Sequence, residues 1–384
     1  MVLIESVKTH FKRKYITLWY NFYSYKLNYW RLILKKNFIL TLLVFLFLLQ
    51  LFSTEPLGLS LEAQRIDLIS EESIDNLMGK CINYRIDTLY IPIVSFMEAL
   101  YESKILPRSN VLINNDSSAS FDPLAYAMKK GDIFGIRIIP VVDLFTAWPS
   151  QDLPNNLMHL SRKQPDWMSR NEMGKLLYNP VFLDPGVPQV QNFTISLIRE
   201  ILIKYKPAYI AFSDFYFPTP EYGYNPYSLK EYEQYLRTKH SQIVNFDTYR
   251  QSVLNNLIMR LDALVQSLGL STNLLIYHTS HYDNSLSVHF QDWVYWLNKG
   301  YVDLGIMWYW FSDKKNVAHD TQWALEHIKG QKFVPAFSPD QLQYSQFLLI
   351  LNTILDFPVS GIVVDTINTN LLDILNENKV GIPR

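Results

Sequence analysis

Beyond residue 60 the chain alternates two patterns. Short, nearly unbroken apolar runs are the mark of strands buried on both faces. Between them lie longer stretches whose apolar positions recur every three to four residues, the mark of helices with one face on a core. The strand-like runs are residues 65–70, 87–94 (DTLYIPIV), 136–143 (IRIIPVVD), 208–214, 272–280 (TNLLIYHTS), 301–310 (YVDLGIMWYW), 332–338 (KFVPAFS) and 359–365 (VSGIVVD). Helices are predicted over 72–84, 122–134 with Pro123 in its first turn, 187–205, 228–239, 246–268, 290–298, 316–329 and 341–355. Parallel strands need crossover helices, so eight alternating units predict an α/β fold of the (β/α)8 TIM-type barrel, with a doubly wound open sheet as the rival. The connection 144–185, holding Trp148, Trp167 and Tyr178, is too long for a simple barrel turn and is expected to be a functional loop. Asp184, just ahead of Pro185 and Gly186, is expected to cap the helix that follows.

The first sixty residues follow a different pattern. Residues 37–53 (NFILTLLVFLFLLQLFS) carry no charge, and the segment before them holds eight lysines and arginines between Lys8 and Lys36 against the single acid Glu5. This predicts a basic, aromatic cytoplasmic segment over 1–36, a transmembrane signal-anchor over 37–53, a linker over 54–60 and the barrel over 61–384. A cleaved signal peptide is the rival. The long preceding region and the want of an A-x-A-like site after Phe52 favour an uncleaved, single-pass anchor, with the N-terminus cytoplasmic and the barrel extracytoplasmic.

Composition narrows the function classes. A formal net charge of -1 gives no bulk reason to expect nucleic acid. Neither the G-x-G-x-x-G nor the G-x-x-x-x-G-K pattern occurs, which counts against a nucleotide, and no cofactor is expected. One cysteine, Cys81, permits no intrachain disulfide and reads as a small apolar residue on a helix. His278, His281 and His289 do not fall into an H-E-x-x-H set, so no metal is expected. Aromatic residues make up 15% of the chain; most belong in a core, but some are available to stack on sugar faces.

In a barrel, the groups that act stand where strands end on the C-terminal face. The run AYIAFSDFYFP over 208–218 places Asp214 at such an end among aromatic rings, including Tyr216. Asp143 and Asp365 end two other strands, Glu98 follows the second and Asp340 the seventh, while Tyr277, Trp308 and Trp310 close the fifth and sixth. Converging carboxylates ringed by aromatics are what glycoside hydrolysis requires, one donating a proton and the other acting as nucleophile or base. Asp214 is therefore the candidate acid/base, with Asp143 or Asp365 as its partner. Glu98, Tyr216, Tyr277, Trp308, Trp310 and Asp340 are candidate substrate-binding residues. The plainer role for each acid is a cap, a turn or a salt bridge.

Four runs, in order, carry a resemblance: ALYESKILP (99–107), FDPLAYAMKKGDIFGIRI (121–138), FLDPGVPQVQNFTISLIREILIKYKPAYIAFSDFYFP (182–218) and QDWVYWLNKGYVDLGIMWYW (291–310). Over most of residues 65–375 the chain resembles the bacterial glycosyl-hydrolase-like family ten, formerly a domain of unknown function. The resemblance implies a barrel, an extracytoplasmic location and action on glycan strands, with cell-wall peptidoglycan the substrate suggested for some relatives. It also exposes departures. Where the family has a histidine two places before an aspartate pair, this chain has Ala211, then Ser213 and Asp214. The family's arginine, histidine and glutamine at three further places are Val94, Ile139 and Trp308, and its asparagine after strand three is Asp143. Two expectations follow: a membrane-anchored glycoside hydrolase acting on cell-envelope glycan, or a degenerate barrel that binds glycan or a partner protein without cleaving it.

Overall fold

The computed structural model describes residues 59–365, apart from 151, 240–243, 310–313, 331, 339–343 and 360. The predicted cytoplasmic segment and membrane anchor, Trp310 and Asp340 lie outside the described residues. Among those described, no helix is long and apolar enough to cross a membrane.

Eight parallel strands close into a barrel: β1 (Leu59–Glu62), β2 (Thr88–Ser95), β4 (Arg137–Asp143), β7 (Tyr209–Ser213), β8 (Asn273–Thr279), β9 (Leu304–Trp308), β10 (Phe333–Phe337) and β11 (Ile362–Val364). Closure rests on β1, whose four residues pair with β2 on one side (Ser60 with Thr88, Glu62 with Tyr90) and β11 on the other (Leu59 with Ile362). A two-residue strand β3 (Glu98–Ala99) folds back antiparallel on β2. Helices cross over on the outside: α1 (Glu71–Asn83), the short α2 (Asn110–Asn114), α3 (Pro123–Phe134), then α4 (Leu160–Lys163) inside the long connection and α5 (Pro188–Tyr205). After β7 come α6 (Pro226–Thr238) and α7 (Phe246–Ser267), and then α8 (Tyr282–Val288), α9 (Trp293–Lys299), α10 (Lys314–His327) and α11 (Tyr344–Leu355).

Strand alternation divides the core in two. Tyr90, Ile139, Val141, Ala211, Leu275, Tyr277, Ile306, Trp308, Val334, Ala336 and Val363 fill the barrel interior, and the intervening residues pack outward against helices. The helices answer with apolar stripes; on α5, Val190, Thr194, Leu197, Ile198, Ile201 and Leu202 are buried at the spacing of one helical face. Each Leu or Ile so buried contributes about 1.5–3 kcal/mol relative to exposure. Local signals set the helix ends. The Ser70 side chain accepts from the Ser73 amide to start α1, and Asp122 caps α3, which ends on Gly135 at a φ of +69°. Cys81 is buried on α1.

Two local expectations are corrected. Residues 65–70 are not a strand: Arg65–Leu68 is a 3-10 turn, because the Gln64 backbone amide donates to the Asp67 carboxylate (2.9 Å) and the Asp67 amide to the Gln64 carbonyl (2.9 Å), closing the chain on itself. The first barrel strand is Leu59–Glu62 instead, lying across the expected linker boundary. Asp184 does not cap α5; that position is Val187, ahead of Pro188. The wholly buried Asp184 carboxylate accepts from the Gly186 amide (2.9 Å), the Asn225 amide (3.2 Å) and the Ser228 hydroxyl (2.8 Å), tying the turn before α5 to the start of α6. The long connection 144–185 is ordered by an antiparallel pair, β5 (Thr146–Trp148) with β6 (Val181–Phe182), which holds it beside the mouth of the barrel.

Candidate active site

Register alone brings several polar side chains to one end of the barrel. Glu62 pairs with Tyr90, an interior residue, and paired residues of parallel strands face the same side, so Glu62 points inward as the last residue of β1. Asp143 pairs with Ser213 two steps beyond the interior pair Val141 and Ala211, so both of these also point inward. Here the Ser213 hydroxyl donates to the Asp143 carboxylate. Asp214 follows β7 at a φ of +53°, a left-handed conformation that Asp tolerates better than a β-branched residue and that takes its side chain out of the strand's alternation. Its two oxygens are held from different elements: Thr146 of β5 donates to one, and the Tyr216 hydroxyl donates to the other at 3.0 Å.

These groups share a cavity of about 380 Å³ at the C-terminal end of the barrel, lined by Glu62, Asp143, Asp214, Tyr216, Tyr277 and Trp308, with Ser213, His278, Thr279, His289 and Gln291 completing the wall. Tyr277 and Trp308 lie nearly parallel, 6.4 Å between ring centres, and Tyr216 stacks on Phe182 at 5.5 Å. Gln291 braces the wall from behind, donating to the carbonyls of Tyr277 (3.0 Å) and Phe215 (3.3 Å) while accepting from Ser285 (3.0 Å).

Burial dominates the electrostatics. It pushes the Asp143 carboxyl up to about 7, helped by the charge of Asp214 and opposed by the hydroxyls of Ser213 and Ser95 and by Arg65. Burial raises Asp214 as well, against the bonds from Thr146 and Tyr216. Glu62 rises to about 8, again by burial first; the Tyr277 hydroxyl, donating at 3.0 Å, pulls it down, while Asp143, Asp365 and Asp214 push it up. A group of acids that cannot all ionise together retains protons near neutrality, a requirement for general acid catalysis.

A family profile described as Glycosyl hydrolase-like 10 matches residues 61–333. The chain belongs to this family. Its barrel is the framework on which that family match rests, since the matched span runs from the second half of β1 to the first residue of β10. The glycosyl hydrolase YngK of Bacillus subtilis (strain 168) is 22% identical over 213 residues, 55% of this chain and 39% of that protein, so the match spans about two fifths of that relative's length. Among solved structures, the catalytic domain of a beta-amylase from Paenibacillus polymyxa matches with a TM-score of 0.56 at 11% identity, covering 81% of this chain and 92% of that one. Alpha-L-fucosidase isoenzyme 2 from Paenibacillus thiaminolyticus matches with a TM-score of 0.54 at 13% identity, covering 80% and 46%. At these identities the likeness is one of fold.

Of the residues singled out in this family member's sequence, Asp143, Asp214, Tyr216, Tyr277 and Trp308 meet around this cavity. Asp365 follows β11, next to β1, where its charge acts on Glu62. Glu98 stands apart: its buried carboxylate accepts from the Ser109 hydroxyl (3.2 Å) and from the backbone and side-chain amides of Asn110 (2.8 and 2.6 Å), which fastens the loop after β3. Sequence reading missed Glu62, Thr146 and Gln291, and it named Ser213 and His289 without giving either a part in the site. For Glu62 a faint signal exists, the alternation of LSLE ending in an acid.

Proposed function

We propose that this protein is a glycoside hydrolase whose proton donor is Asp143 and whose ionised partner is Asp214. The observation that carries the proposal is the convergence of these two acids, from neighbouring strands, on a single aromatic-walled cavity. Asp143, protonated up to about pH 7, gives its proton to the glycosidic oxygen as the C–O bond breaks. Asp214, whose charged form two hydroxyl donors support against burial, stabilises the oxocarbenium-like carbon; water then adds to that carbon and gives its proton to a carboxylate of the pair. These roles reverse the sequence expectation, in which Asp214 was the acid/base. The substrate we propose is a cell-envelope glycan such as peptidoglycan strands, reached by a barrel tethered outside the membrane through residues 37–53; the uncharged apolar run and the basic segment before it support the tether.

One observation favours a second reading, in which the barrel binds glycan without cleaving it. Ser213 stands where the resemblance leads one to expect a second acid, and its hydroxyl occupies an oxygen of Asp143. The test is release of reducing ends from peptidoglycan and other glycans by the full-length protein in detergent. Turnover that is lost in both Asp143→Asn and Asp214→Asn supports hydrolysis. Glycan binding without turnover, unchanged in Asp143→Asn, selects the second reading.

A further inference from the structure

Glu62 lines the cavity but has no part in the chemistry above. One of its oxygens is committed, accepting from the Tyr277 hydroxyl at 3.0 Å, and it takes no hydrogen bond from any other described residue. The side chain is only partly buried, and Glu62 lines the same cavity as Asp143, Asp214, Tyr277 and Trp308. Its position is fixed from three sides: β1 pairs with β2 and β11, and Tyr277 reaches across the barrel from β8.

We propose that Glu62 is a sugar-binding residue that acts as a neutral carboxylic acid: Tyr277 holds one oxygen, and the proton on the other is donated to a hydroxyl of the glycan unit seated above Asp143 and Asp214. The inference rests on the glycan-binding part of the function proposed above, and it holds whether or not the bound glycan is cleaved. The groups that face Glu62 agree with a neutral form. They are Tyr90 on β2, Asp143 on β4, Asp214 after β7, Tyr277 on β8 and Asp365 after β11, five groups that are each either neutral or negative. Burial and three neighbouring carboxylates hold the Glu62 proton to about pH 8. An acid kept neutral in this way can donate a hydrogen bond that an ordinary surface glutamate cannot. Once ionised, Glu62 loses the donor and would meet a sugar hydroxyl only as an acceptor, in a cavity already crowded with negative charge.

The proposal sets a pH dependence that a purely structural role would not produce. The full-length protein is titrated calorimetrically with cellotetraose, maltotetraose and chitotetraose between pH 6 and 9.5, as wild type, Glu62→Gln and Glu62→Ala. Affinity of the wild type is expected to fall about tenfold between pH 7 and 9, the worth of one hydrogen bond. Glu62→Gln keeps a donor facing the cavity and cannot ionise. It is expected to bind within about threefold of wild type at pH 7 and to lose the alkaline fall, whereas Glu62→Ala binds about tenfold more weakly at pH 7. An alkaline fall that persists in Glu62→Gln, or wild-type affinity in a folded Glu62→Ala, overturns the inference. Binding that behaves as expected while no reducing ends are released sinks hydrolysis and leaves Glu62 standing. If none of the three sugars binds the wild type at any pH, the inference fails.

Discussion

Ser213 donates its hydroxyl to Asp143 across two parallel strands in register, so the candidate acid is tuned by the residue beside it. This bond favours the ionised carboxylate and opposes the burial that raises it. In Ser213→Ala the opposition is gone, and Asp143 keeps its proton to higher pH. The alkaline limb of kcat/KM, expected near pH 7 in the wild type, should then move up by roughly one unit while the acid limb stays in place. An unmoved alkaline limb in Ser213→Ala would remove Asp143 as the donor.

Thr146 reaches Asp214 from the long connection, and this makes a loop residue part of the charge balance. A hydrogen bond to a charged group is worth about 1.5–3 kcal/mol, so Thr146→Val should lower kcat by about ten- to a hundredfold and lower the thermal midpoint as well. Thr146→Ser restores the donor and most of the rate. Because Tyr216 donates to the other oxygen of the same carboxylate, Tyr216→Phe combined with Thr146→Val should depart from additivity. Additive losses would mean that the two hydroxyls serve separate functions.

How much of this was readable in advance depends on how local the signal is. The strands β2 and β4 announce themselves by unbroken apolar runs, and Asp143 is visible as the acid that ends one of them. β1 is not visible, because its four residues are a strand only through partners on β2 and on β11, the latter about 300 residues further on. The stronger local pattern at Arg65–Leu68 is captured by a side-chain capping turn. With β1 misplaced, Glu62 goes unseen. Glu98 shows the opposite failure: it is an acid just beyond a strand, but the chain doubles back there and the loop at Ser109 and Asn110 takes up its carboxylate. Thr146 carries no charge, and only three-dimensional closeness to Asp214 gives it a role, while Ser213 shows in the sequence as a departure from the family but not as a partner of Asp143.

Three acids with raised carboxyls give stability a definite pH slope. Glu62, Asp143 and Asp184 are raised to about 8, 7 and 6, each chiefly by burial. Each binds a proton more tightly folded than unfolded. The folded state therefore holds more protons between the unfolded value, near 4, and the raised one. Stability falls as pH rises through that window and levels off above pH 8. Thermal unfolding followed from pH 4.5 to 9 should show a falling midpoint. In Glu62→Gln the decline between pH 7 and 8 should flatten. A midpoint that climbs steadily from pH 5 to 8 contradicts the protonated acids.

Asp184 also tests what burial means when every partner is in place. Asp184→Ala strands the Ser228 hydroxyl and the Gly186 and Asn225 amides in a dry interior, at a cost of about 1–3 kcal/mol for each group that finds no replacement. A midpoint lower by several degrees is expected, with the pH profile of any activity unchanged, since Asp184 does not line the cavity. Asp184→Asn keeps the acceptor for Ser228 and should lose less.

Gly305 on β9 leaves room for His278 on β8. A Cβ there would come within 2.4 Å of the His278 Nε2 and 3.3 Å of Leu297, and the imidazole cannot back away because it stacks on Trp293 with ring centres 4.0 Å apart. The seam between these strands also carries Tyr277 and Trp308, two of the rings that line the cavity. Gly305→Ala should therefore cost about 1–3 kcal/mol by overpacking and raise KM for a glycan substrate more than it lowers kcat, through displacement of the aromatic wall. Adding His278→Ala removes the clash, so the double variant should be more stable than the two separate losses predict. If Gly305→Ala unfolds at the wild-type temperature, the β8–β9 seam has slack, and it does not hold the aromatic wall in position.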